Sequence, residues 1–195
     1  MRRGVGSVLF LLASANLAFA DPLTDLLAGK PGGICYDRVY DAAHMAKNPD
    51  QNTRAIRLSL VEAKDIRGAT FRLSLLDGEG TVYAFGDCNY ERRAGLDSMG
   101  GQLISTFKIG PGLDCHALTS YYTGNSQEGG DFVIDMRDGK SMTIHLPEEI
   151  AAWEELDSDG DAGWFPLGRE DRIFRVDAAS AKLCEPLIDG MPLHR

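Results

Sequence analysis

The densest group of reactive side chains in this chain is Cys35-Tyr36-Asp37-Arg38-Val39-Tyr40-Asp41-Ala42-Ala43-His44. Asp41 and His44 stand three apart, a spacing at which a helical turn lets a carboxylate orient an imidazole for general-base work. Asp37 is a second candidate partner for that ring, and the chemistry either pair suggests is hydrolysis. A structural role competes. Asp41 suits the N-cap of a short helix over 42–47, with His44 at its third position beside free amides. No nucleophile is identifiable next to the pair, so the capping role is the stronger expectation.

Asp157, Asp159 and Asp161 place acids at alternate positions, as calcium loops do. The sixth and twelfth positions are then Ala162 and Gly168, where an EF-hand needs glycine and a bidentate glutamate. Glu170 or Asp171 would have to reach back instead. A solvated acidic loop over 157–171 is the default, and calcium is the one cofactor the chain suggests. Ser98 lacks the glycine two residues before it that a hydrolase elbow requires, and no phosphate-cradling loop or zincin histidine pair occurs. His116 is expected on the exposed face of a strand and His145 on the polar face of a hairpin. Trp153, Trp164 and Phe165 would either close a barrel end or line the mouth of a ligand pocket.

Residues 1–20 look like a secretory signal peptide: Arg2 and Arg3, an apolar run from Val8 to Leu12, and Ala18-Phe19-Ala20 before Asp21. That address is periplasmic or secreted. Beyond it stand 18 basic and 29 acidic residues, a balance of −11. Such a chain is repelled by phosphate backbones and anionic lipid, which disfavours nucleic acid and membrane surfaces as partners. No later apolar run is long enough to span a bilayer, so membrane insertion after cleavage is not expected.

An even count of cysteines in an oxidising compartment reads as two disulfides with three possible connectivities. Zinc is disfavoured because Cys88 and Cys115, the nearest pair, are far beyond C-x-x-C spacing. Position favours Cys88–Cys115 as a staple between neighbouring strands and Cys35–Cys184 as a tie between the domain's ends.

Period-two alternation marks strands at 56–60 and 71–75, with others at 34–40, 81–88, 103–109, 113–121 and 172–176. On 81–88 the inward face is either Val82 and Ala84 or Tyr83 and Phe85. Residues 89–101 read as a loop, and Gly110-Pro111-Gly112 as a separator. In the hairpin over 131–146, Phe132, Ile134 and Met136 should share a face with Met142, Ile144 and Leu146. A three-residue turn pairing Ile134 with Met142 would put Gly139 in a left-handed conformation. Pro147 to Leu156 suits a helix turning Ile150, Trp153 and Leu156 to one side, and Asp177 suits the cap of a helix over 178–183. The organisation expected is a signal peptide (1–20), a flexible lead-in (21–33), a β domain (34–186) and a loose tail (187–195). The fold expected is a mainly β, disulfide-stapled antiparallel barrel or sandwich of about eight strands with short peripheral helices.

Cys35, Arg38, Tyr40, Asp41, His44, Pro49 and Gln51, together with Asp171-Arg172-Ile173-Phe174-Arg175 and Cys184, resemble the two end motifs of an exported alphaproteobacterial protein family with paired cysteines. The resemblance implies a periplasmic address and paired cysteines and carries no catalytic assignment. Disulfide-stapled periplasmic barrels such as inhibitors of lysozyme are similar in architecture alone. The function expected is non-enzymatic binding of an envelope protein or small ligand. The alternatives are a hydrolase using His44 with Asp41 or Asp37, and a calcium-binding envelope protein using the 157–171 loop.

Overall fold

In the computed structural model, the structure describes residues 22–63, 68–94, 110–120, 129–136, 139–156 and 160–190. Eight antiparallel strands close into a barrel: β1 (Ile34–Val39), β2 (Ala55–Glu62), β3 (Gly68–Leu76), β4 (Thr81–Ala94), β5 (Gly110–Ala117), β6 (Asp131–Asp135), β7 (Ser141–His145) and β10 (Ile173–Ala179). Around the wall the order is β1-β10-β7-β6-β5-β4-β3-β2, so the first and last strands meet at a seam. A separate pair, β8 (Glu149–Ala152) and β9 (Gly163–Pro166), forms a two-stranded sheet.

Alternation decides what fills the barrel. Ile56, Leu58 and Leu60 of β2, Phe71, Leu73 and Leu75 of β3, and Phe174 and Val176 of β10 all turn inward and are buried. On β4 the inward set is Val82, Ala84 and Cys88, while Tyr83 and Phe85 lie in a separate outer cluster with Trp153. Phe71 and Phe132 meet edge to face at 4.8 Å in the middle of the interior. An eight-stranded barrel is just wide enough for side chains to fill it, and here they do. Helix α1 (Pro22–Leu27) adds Leu23 and Leu27 to that interior, and Ile150 of β8 and Leu167 join it as well.

Both expected disulfides are present. Cys88 and Cys115 face each other across β4 and β5 inside the barrel, with Cα atoms 4.0 Å apart. Cys35–Cys184 lies on the outer wall, where Leu187 packs over it.

Several local expectations are corrected. β4 runs on to Ala94 instead of ending before a loop at 89, and Gly110-Pro111-Gly112 begins β5 instead of separating strands. Pro111 sits where the β4–β5 register shifts, so no ladder bond requires its missing N–H. A Cβ on Gly112 would stand 2.4 Å from the Ile134 carbonyl, so strand approach, not a turn, explains that glycine. The strand expected at 103–109 lies outside the described residues.

The 131–146 hairpin pairs Ile134 with Ile144, not Met142. The slip is two residues, which leaves Phe132, Ile134, Met136, Met142, Ile144 and Leu146 together on the inward face, as expected. Gly139 is left-handed as expected, at φ 66°.

Residues 149–152 form β8 instead of a helix, since Ala151 N–H reaches the Gly129 carbonyl and Trp153 bonds Tyr83 in both directions. Ile150 goes to the interior and Trp153 to the outer cluster, so their helical spacing does not reflect one buried face. Asp177 lies within β10 opposite Asp37, and the helix expected at 178–183 shrinks to a 3₁₀ turn, Ala181–Leu183. Beyond Cys184 the chain forms α3 (Glu185–Gly190), held down by buried Leu187, where a loose tail was expected.

Candidate functional site: the seam and its rim

The two end motifs converge on the seam. β1 and β10 share three register pairs, from Cys35↔Ala179 to Asp37↔Asp177, against nine between β3 and β4. The β6–β7 hairpin also has three, but a short turn joins its strands. The seam has no such covalent neighbour and is fastened by side chains.

At one end the Cys35–Cys184 bridge spans 149 residues of sequence. In the middle, Asp37 and Asp177 face each other, an arrangement that like charges disfavour. Arginines offset it: Arg57 Nε donates to Asp37 at 2.9 Å, Arg38 donates to Asp177 at 3.2 Å, and Arg175 stands 3.6 Å from Asp177. At the other end Asp171, only 2 % exposed, accepts from the Asn52 and Thr53 amides at 2.9 and 2.8 Å. A buried carboxylate with two backbone donors is a strong tie between segments distant in sequence.

Helix α2 (Ala42–Lys47) sits on this end. Asp41 caps it by accepting from the His44 amide at 2.7 Å. The His44 ring lies 4.5 Å from the Tyr40 ring and pairs through Nε2 with Gln51 Oε1 at 2.9 Å. Gln51 passes the tie on by donating to the Thr53 carbonyl. Asp41 therefore serves the backbone and Asp37 serves Arg57; the ring's polar contact is Gln51. The Asp–His general-base geometry expected from spacing is not what these contacts build. Arg38 lies 5.6 Å over the Tyr40 ring. Burial pushes the Tyr40 hydroxyl above its ordinary value; Arg38 opposes this and Asp171 adds to it.

Beside these fasteners two apolar side chains stand exposed among charged ones. Val39 is 66 % exposed and Ile173 48 %. Sequence reasoning missed the Asp171 tie because its two donors lie 119 and 118 residues upstream, with no local signal to announce them.

The other candidates scatter. Asp157 and Asp159 lie outside the described residues, Asp161 is exposed, and β9 interrupts the 157–171 loop. Among the described residues no group of three or more histidines, cysteines or acids is arranged to hold a metal. His116, expected exposed, is half-buried and bonded through Nδ1 to Asp131 at 2.6 Å. That bond raises its pKa against the cost of burial, and the charges of Asp131, Asp114 and Asp87 add to the rise. His145, expected on a polar face, is buried. Trp153 stacks near Phe85 at 5.0 Å and donates to the Gly160 carbonyl, while Trp164 is half exposed.

No family model, curated protein or solved structure matches this chain.

Proposed function

We propose that this is an exported, non-enzymatic binding protein that recognises an envelope protein through the rim beside the seam. Val39 and Ile173, exposed on the strands of the seam, carry the reading, with Arg38 and Tyr40 flanking Val39 in the chain and His44 against the Tyr40 ring. Aromatic and arginine side chains around exposed apolar ones are the composition of interaction hot spots. A barrel interior filled by its own side chains favours a surface partner over an enclosed small ligand. Two disulfides fit an oxidising compartment, and among the described residues no helix is long and apolar enough to cross a membrane. The disulfides, together with the leader-like residues 1–20, support a periplasmic or secreted address.

The test is affinity capture from periplasmic extract using the wild type, Val39→Asp and His44→Ala. A reproducible protein partner retained by His44→Ala and lost with Val39→Asp is the expected outcome. Turnover of an envelope substrate by the wild type but not by His44→Ala would overturn the reading in favour of a hydrolase.

A further inference from the structure

Of the large apolar side chains left exposed among the described residues, Trp164 is the one aromatic, at 51 %. Its setting follows from the β8–β9 register. Ile150, Ala152 and Phe165 turn to the barrel interior, so alternation turns Glu149, Trp164 and Pro166 to the other face. Glu149 stands opposite Pro166 and diagonal to Trp164, and both Glu149 and Pro166 are exposed. Directly across from Trp164 is Ala151, whose methyl group is too small to cover an indole. The other tryptophan is held differently: Trp153 is buried against Phe85 and donates to the Gly160 carbonyl.

The same hairpin carries most of the chain's charge. Residues 148–170 hold eight acids and one base, a balance of −7 against −9 for all 195 residues. Glu148 is paired with Arg172. Glu149, Glu154, Glu155, Asp161 and Glu170 are exposed, and among the described residues none of them is in an ion pair. Carboxylates alone would attract any cation. An indole face selects further, because a guanidinium is planar, weakly hydrated and stacks on it. An acidic partner would be repelled here, and an apolar one would have to desolvate Glu149 beside the ring.

We propose that the outer face of the β8–β9 hairpin binds an arginine-bearing segment of a partner protein, one guanidinium stacking on Trp164 and pairing with Glu149. The other acids of the hairpin draw the segment in from solution. Neither Val39 nor Ile173 takes part, so this surface stands or falls apart from the rim reading.

The experiment titrates the disulfide-bonded protein with three capped octapeptides in which serine alternates with arginine, lysine or glutamate, following the indole N–H signals by NMR. The chain has two tryptophans, so Trp164→Phe assigns both signals. The arginine peptide should shift the Trp164 signal and leave that of Trp153 in place. It should bind more tightly than the lysine peptide and weaken as salt is raised, and the glutamate peptide should not bind. Trp164→Leu should weaken the arginine peptide about fivefold, with Trp164→Phe losing less. Glu149→Gln should weaken it about twofold. Circular dichroism checks that each variant is folded, and the wild-type indole shift reads the contact without any substitution. Unchanged affinity in Trp164→Leu, equal binding of arginine and lysine peptides without a Trp164 shift, or no binding at all would overturn the proposal. A Trp164 shift on concentrating the protein alone would also overturn it, since the occupant would then be a second copy of this chain.

Discussion

The β4–β5 wall and the β1–β10 seam each carry a disulfide, and the two bridges constrain the chain differently. Cys88–Cys115 joins strands already laddered, inside the barrel, across 27 residues. Cys35–Cys184 lies outside, spans 149 residues and pins α3 to the wall beside the strands that close the barrel. The wall is held mainly by main-chain pairing and interior packing. The seam, with three register pairs and two aspartates face to face, is held by groups brought from both ends of the chain. A closed barrel therefore has a preferred place to open, and in this protein the exposed rim lies there.

Removing each bridge separates the two roles. In the chain-entropy picture a loop of this length makes Cys35–Cys184 worth about 5 kcal/mol and Cys88–Cys115 about 3.5. All four cysteines are buried, so the packing losses on Cys→Ala are similar and the loop term decides the order. Cys35→Ala/Cys184→Ala should lower the urea midpoint more than Cys88→Ala/Cys115→Ala, with strand content by circular dichroism retained in both. The reverse order would erase the distinction between seam and wall.

Asp171→Asn sharpens the comparison at the other end of the seam. One amide oxygen replaces two charged acceptors, leaving a buried N–H without its partner, at a cost of about 2 kcal/mol. Thermal melting should register the loss. Asp41→Ala, at an exposed cap of a six-residue helix, should cost about 1 kcal/mol.

The smallest effect belongs to the wall. His116 has its folded pKa raised by Asp131, so its protonated form stabilises the fold. That contribution is full below the unfolded value of about 6.5 and fades as pH rises through the higher folded value. The wild type should lose stability from pH 6 to pH 8 relative to His116→Gln, read as the difference in their urea midpoints.

Much of this was legible because it is local or periodic. Asp41 as a cap, the alternating strands at 56–60 and 71–75, and the left-handed Gly139 each follow from a few neighbouring residues. The cysteine pairing followed from position along a chain whose ends had to meet. What was hidden depends on partners far away. Residues 149–152 became a strand because Gly129 and Tyr83 offer backbone bonds, which no periodicity of Ile150, Trp153 and Leu156 reveals. Asp177 suited a cap locally, but Arg38 and Arg175 make it tolerable in a strand. The same distance hid the Asp171 tie, which exists only once the two ends of the chain are side by side.

Native-state amide exchange on Cys35→Ala/Cys184→Ala tests the central claim most directly, since it reports where the barrel opens first. Protection should fall in β1, β10 and α3 and at the Asn52 and Thr53 amides, while β3, β4 and β5 keep theirs. Equal loss across all eight strands, or earliest loss in β4 and β5, would contradict it.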